Sequence, residues 1–195
     1  MTTKAISSYQ SYEAICTRLD YEKKLHCNVN GEPALYVGTY NAYNNGSLYG
    51  EWVNLDSFDT VEEFYDFCRL LHYMDDDPEF MFQDYMNFPR EWYSECGMSE
   101  ETFDKIKEYA QLDDEERQAY EDYIDEVNCN GDIDSFKDNF LGKWESEEEF
   151  AEQFARDMHP DLYENEFFWM YFDFKSYARD LFYDYHFTSN GYVFS

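Results

Sequence analysis

The chain is 195 residues long, enough to bury a sizeable core, and sets 14 basic residues against 44 acidic ones for a formal net charge of -30. Such a field repels nucleic acid and anionic membrane surfaces and draws in basic proteins, so direct DNA binding is excluded as the starting expectation. Disorder is excluded as well, because acidic disordered chains are poor in apolar residues, whereas 44% of this one is hydrophobic and 22% aromatic.

The charge is unevenly placed. Residues 1–30 hold Lys4, Arg18, Lys23 and Lys24 against Glu13, Asp20 and Glu22, which is 4 − 3 = +1, so residues 31–195 carry 14 − 4 = 10 bases against 44 − 3 = 41 acids, a net of −31. Five cysteines without a CxxC pair point to reduced thiols and a cytoplasmic setting. Nothing at the amino end has the pattern of a signal peptide. The longest apolar run, 167–172, is far too short to span a membrane.

In chain order, Tyr12, Ile15, Cys16 and Leu19 recur at helical spacing, which predicts a helix appended to the main body through a linker at 28–33. Two β-rich runs, 35–40 and 47–53, then flank Asn44-Asn45-Gly46, whose tolerance of positive φ predicts a hairpin or tight loop. Asp56 and Thr60 are candidate helix starts, and Val61, Phe64, Tyr65, Phe67, Cys68 and Leu71 predict a helix packed on that hairpin. Asp77-Pro78 ends it. The stretch 73–92 interleaves Asp75, Asp76, Asp77, Glu79, Asp84 and Glu91 with Tyr, Phe, Met and Trp, opposed only by Arg90. It is expected to lead on to Pro89 as a segment presenting carboxylates.

Residues 93–130 are expected to be helical. Ser99 is an N-cap ahead of Glu100 and Glu101, with Phe103, Ile106, Tyr109 and Ala110 as the inner stripe. Asp113 and Glu116 form a capping box for the next helix, whose inner stripe is Tyr120, Tyr123, Ile124 and Val127 and whose outer face carries Glu115, Asp122, Asp125 and Glu126. Residues 131–195 repeat the first region in outline. Gly50-Glu51-Trp52 precedes Glu62-Glu63-Phe64, Phe67 and Arg69, while Gly142-Lys143-Trp144 precedes Glu148-Glu149-Phe150, Phe154 and Arg156, which fits a strand-then-helix unit used twice. Asp173 caps a helix over 174–182, and Ser189-Asn190-Gly191 closes a hairpin between 183–188 and 192–194.

Other motifs carry little chemistry. The segment 126–137 aligns with an EF-hand loop, but Lys137 stands where a bidentate Glu is required, so a turn between helix and strand is expected instead of a calcium site. The Asp75 cluster reads as a solvated helix terminus, and Cys68 with His72 has no second ligand pair to complete a zinc site. Phe64, Phe67, Phe103, Tyr120 and Trp144 are read as core. No catalytic constellation, cofactor motif or metal set is identified, and the chain is not expected to be an enzyme.

The motifs at 35–52 (LYVGTYNAYNNGSLYGEW), 83–89 (QDYMNFP) and 172–181 (FDFKSYARDL) resemble the ArdA antirestriction family, in that family's order. The resemblance covers about 34–195 and implies an elongated, curved α+β chain of three regions, which agrees with two small hairpin-and-helix domains (31–92 and 131–195) flanking a helical middle (93–130); nothing is carried over onto the extension at 1–30. It further implies a cytoplasmic protein of mobile elements that mimics B-form DNA, fills the DNA groove of type I restriction and modification enzymes, and forms a homodimer. The carboxylates expected to meet that partner are Asp75, Asp76, Asp77, Glu79, Asp84, Glu91, Glu95, Glu100, Glu101, Glu115, Asp122, Asp125, Glu126, Glu147 and Glu148. An inhibitor of another nuclease or DNA-binding protein, and a divalent-cation binder using the Asp75 cluster, remain the alternatives.

Overall fold

Helices and small antiparallel sheets alternate along the chain, the α+β class expected from the sequence. The computed structural model describes the backbone of residues 3–162 and 165–195 and the side chains of 12–161 and 165–195. Its internal contacts divide the chain into two units, Met1–Gln111 and Leu112–Ser195. Each holds a three-stranded sheet.

In the first unit, β1 (Ala34–Thr39) is the central strand, with β2 (Glu51–Asn54) and β3 (Phe80–Met86) antiparallel on either side. The expected hairpin of β1 and β2 is present, but its connection is longer than a tight turn. Thr39 is buried and accepts a hydrogen bond from the Ala42 N–H, so it caps a short helix, α2 (Tyr40–Asn44), in place of continuing the strand. Gly46, at φ 77°, then turns the chain, and pairing resumes at Glu51 instead of Ser47.

Thr60 caps α3 (Val61–Leu71), and Val61, Phe64, Phe67, Cys68 and Leu71 are buried, as their spacing predicts, while Tyr65 is half-buried. Burying a ring such as Phe64 fully contributes about 1.5–3 kcal/mol.

The sequence reading places no element between Pro78 and Pro89, and here it is corrected by β3. Pairing with β1 passes directly from Tyr36↔Asp84 to Val37↔Phe82, so Gln83 is an extra residue, a β-bulge. The bulge breaks the two-residue period, which leaves Asp84 exposed although it lies two positions from the buried Phe82. The free edge of β3 is covered: Phe82 N–H donates to the Glu95 carbonyl at 2.9 Å, and the Tyr93 hydroxyl donates to the Phe82 carbonyl at 2.6 Å.

The N-terminal helix, α1 (Thr3–His26), is docked on this unit. Leu19 is buried, the His26 ring stacks on Phe58 at 4.1 Å and 16°, and His26 Nδ1 lies 2.8 Å from Ser57 Oγ. Beyond β3, Ser99 caps α4 (Glu100–Ala110), which buries Phe103, Ile106 and Tyr109. Lys107 Nζ anchors that helix by donating to the carbonyls of Asp56 and Phe58, both at 2.7 Å.

The second unit opens with α5 (Asp114–Asp122), whose Asp113–Glu116 capping box is formed in full. A single π-helical turn, Tyr123–Val127, follows. The EF-hand-like segment then leads into a helix, α6 (Ile133–Asn139), not directly into a strand as expected. Its cause is local: Asp132 accepts from the Ser135 N–H, and Ile133 and Phe136 are buried one turn apart. Gly131 is explained by packing alone, because a Cβ there would stand 2.3 Å from Tyr123 Cε1.

After β4 (Phe140–Lys143) come α7 (Glu147–Met158), α8 (Glu166–Tyr171) and α9 (Phe174–Leu181), the last capped by Asp173. The expected terminal hairpin pairs β5 (His186–Phe187) with β6 (Tyr192–Phe194) through Gly191 at φ 89°. The sheet order is β4-β6-β5.

The repeat legible in the sequence is real at the level of topology. In each sheet one edge strand precedes the main helix (β2 before α3, β4 before α7) and the other edge follows it (β3, β5). The central strand comes first in one unit and last in the other. Trp144, read as core, is only half-buried, because it lies just past β4.

Candidate protein-binding surface

In the first unit, Asp76, Asp77, Glu79, Asp84, Glu91 and Glu95 are exposed. The turn that follows α3 is held in place by Asp75, which is half-buried. Its carboxylate accepts from Thr39 Oγ1 at 3.0 Å and Asn41 Nδ2 at 2.8 Å, so part of its hydrogen-bonding capacity is already used. Glu95 accepts from the Tyr40 hydroxyl at 2.9 Å, with Cys96 Sγ 3.6 Å from the same oxygen. The thiol of Cys96 and the Glu95 carboxylate hold the Tyr40 phenol above its usual pKa.

Glu100 and Glu101 in α4, Glu115 in α5 and Glu147 and Glu148 in α7 all lie in the first turn of their helices and are exposed. There they meet the positive end of the helix dipole, an effect of about 0.3–1 kcal/mol each. Their placement has a structural reason independent of any partner. Glu101 is also paired with Lys105 at 3.2 Å.

The prediction of an outer face for α5 needs one correction. Asp122 is buried, and its two carboxylate oxygens accept from Thr188 Oγ1 at 2.8 Å and Asn190 Nδ2 at 2.9 Å. It is a tether for the loop between β5 and β6, not a surface charge. Glu126, one turn on, is exposed but accepts from the N–H and hydroxyl of Ser189. Of this group Asp125 and Glu115 remain outward and free to meet a cation.

Several of the chain's own cations are committed. Arg18, Lys23, Arg69, Lys105, Lys107, Arg156 and Arg179 each contact a carboxylate within the chain. Their pairing leaves the surplus acids to solvent or to a cationic partner. Surface pairs of this kind contribute about 0–1 kcal/mol apiece, so they lower the field more than they stabilise the fold.

Two histidines sit apart from this surface. His72 is buried and its Nε2–H donates to the Val37 carbonyl at 3.1 Å; burial holds its pKa below the ordinary value. Burial likewise lowers His26, against the raising effect of Glu22. Among the described residues, no group of three His, Cys, Asp or Glu side chains converges as a metal site. Among the described residues, no helix is long and apolar enough to cross a membrane.

One surface went unmarked in the sequence as a contact site. On α8, Phe167, Met170 and Tyr171 are 73%, 73% and 72% exposed, an uncharged patch on a strongly charged protein. The apolar run 167–172 was its only signal.

A family model described as antirestriction protein (ArdA) matches residues 35–194, which covers both sheets and leaves α1 outside. Neither the curated proteins nor the solved structures hold a match.

Proposed function

The chain belongs to the ArdA family of antirestriction proteins, and from that premise we propose that it inhibits type I restriction–modification enzymes by mimicking B-form DNA in their DNA-binding groove. Family membership by itself makes it an inhibitor directed at restriction–modification enzymes. The observation that supports mimicry is the exposed placement of Asp76, Asp77 and Asp125, which have no hydrogen-bond or ion-pair partner among the described residues, in a chain several of whose cations are already engaged. Such groups can do what phosphates do, which is to attract and pair with Lys and Arg without carrying a base code.

Duplex DNA presents one negative charge per about 1.7 Å of axis, so a net −31 over residues 31–195 corresponds to about 53 Å of duplex. A dimer would match about 105 Å. Holding the carboxylates on β3 and on helical first turns removes much of the ordering cost that a flexible acidic tail would meet on binding. The proposed homodimer is supported by the α8 patch, since two chains of net charge -30 repel each other except where a contact is uncharged. The proposed site of action is the cytoplasm, where the five free thiols stay reduced.

The test is competition between this protein and specific DNA for a purified type I enzyme, at about 50 and about 300 mM salt. Displacement of DNA that weakens as salt rises is the expected result. Affinity independent of salt, or no displacement at all, removes DNA mimicry.

A further inference from the structure

The second unit contains a cavity of about 280 Å³ that the carboxylate surface does not use. Its walls are ring faces. Phe150 and Phe154 come from α7, Trp144 from the end of β4 and Tyr185 from the approach to β5, with Asp157 and Gln153 at the rim. Phe150 packs against Trp144 at 5.4 Å and 77° and against Tyr185 at 5.6 Å and 53°, and Phe154 meets Tyr185 at 5.6 Å and 65°. Phe150 is buried as the floor, while Trp144, Phe154 and Tyr185 are half-buried and keep area open to a guest.

The polar groups there leave one function unfilled. The Trp144 indole N–H is satisfied by the Leu141 carbonyl at 3.0 Å, so this ring can offer only its face and edges. Asp157 lies one helical turn beyond Phe154, is exposed, and is oriented by Gln153 Nε2, which donates to its Oδ1 at 2.9 Å. Its second oxygen accepts no hydrogen bond among the described residues.

Aromatic faces with a carboxylate at their edge form a cation site, because the negative face of each ring and the carboxylate attract the same charge. The chain uses such contacts elsewhere: the Arg156 guanidinium lies 4.9 Å over Trp169 and Lys143 Nζ lies 5.1 Å over Tyr192.

In the first unit the planar imidazole of His26 stacks on Phe58 with Nε2 3.4 Å from the Glu22 carboxylate, a nitrogen-bearing ring on an aromatic face beside a carboxylate.

We propose that this cavity is a socket for one arginine side chain of the protein partner, its guanidinium stacked among Trp144, Phe154 and Tyr185 and paired with Asp157. The proposal rests on the reading of the chain as an inhibitor of a cation-lined DNA-binding enzyme. Arginine fits better than lysine, since its planar, weakly hydrated guanidinium both stacks and pairs with a carboxylate. A field of net charge -30 attracts many orientations of a basic groove equally well, whereas one filled socket selects a single register.

The test has two independent arms. In the first, NMR resonances of Trp144, Phe154 and Tyr185 are followed while N-acetyl-argininamide or the uncharged N-acetyl-norleucinamide is added. Shifts with the arginine probe alone, lost in Asp157→Asn, are expected; no shift, or equal shifts with both probes, overturns the cation site. In the second arm, purified type I enzyme is titrated with the wild type, with Asp157→Asn, and with Asp157→Asn combined with Phe154→Leu. A rise in Kd of about tenfold for the double variant, and a smaller one for Asp157→Asn, is expected from a largely desolvated cation–aromatic contact. Values within twofold of the wild type overturn the partner assignment. If the wild type does not bind the enzyme, the antirestriction target fails, while the first arm still decides whether the cavity holds a guanidinium.

Discussion

Replacing Asp122 separates the carboxylates that build the fold from those that face a partner. Thr188 Oγ1 accepts a hydrogen bond from the Tyr192 N–H at 3.1 Å, so its own hydrogen must go to Asp122 Oδ2, 2.8 Å away and buried. Asn190 Nδ2 donates to the other oxygen at 2.9 Å. Hydrogen bonds to a charged group contribute about 1.5–3 kcal/mol each, and part of that is offset by desolvating the carboxylate. Asp122→Ala should therefore cost about 2–4 kcal/mol, against a total stability of about 5–15 kcal/mol for a typical domain. Asp122→Asn keeps one acceptor and should cost about 1 kcal/mol, whereas Asp125→Ala, three residues on and exposed, should stay within about 0.5 kcal/mol. Urea unfolding followed by fluorescence in a Trp52→Phe, Trp92→Phe background would report on this unit, since the remaining Trp144 and Trp169 lie within it. An Asp122→Ala midpoint equal to that of the wild type, or an Asp125→Ala loss as large, would refute the assignment.

In a distributed electrostatic surface, Asp76→Asn, Asp84→Asn and Glu91→Gln should each weaken binding to a type I enzyme by only about 0.2–1 kcal/mol, measured by titration; a single change that abolishes binding would contradict DNA mimicry. His72 has a folded pKa below its unfolded value, so its contribution to stability is present above the unfolded pKa near 6.5 and is lost as pH falls through the folded one. The stability gap between wild type and His72→Gln should accordingly narrow as pH is lowered from 7 toward 5 in parallel urea melts, and a constant gap would show that His72 does not titrate there. For α8, Phe167→Glu with Tyr171→Glu should convert a dimer to monomer in sedimentation while leaving the circular dichroism unchanged; a monomeric wild type would remove α8 as a self-contact.

Much of the local structure was legible because it depends on residues three or four apart. Thr60, Ser99, the Asp113–Glu116 box and Asp173 all cap the helices they were expected to cap. The stripes on α3 and α4 point inward for the same reason, since a helical period fixes which side chains share a face. The sign of the field needed no structure at all, being a sum over residues. Most of the carboxylate surface followed from that sum, because acids with no cation left to neutralise them stay in water.

What the sequence by itself determined, then, was the sign of the surface, the caps, the buried helical stripes and the Gly191 turn, all set by composition or by neighbours along the chain. Only tertiary structure decided which acids turn inward and where the second sheet edge lies. Asp122 is drawn into the interior by Thr188 and Asn190, 66 and 68 residues away. β3 exists because Ala34↔Met86 and Thr39↔Phe80 pair across the intervening helix, and Trp144 borders a cavity because the chain returns beside it at Tyr185. A helix face or strand partner of that kind is chosen by the hydrogen bonds and rings that distant segments bring to it, and no local period encodes them.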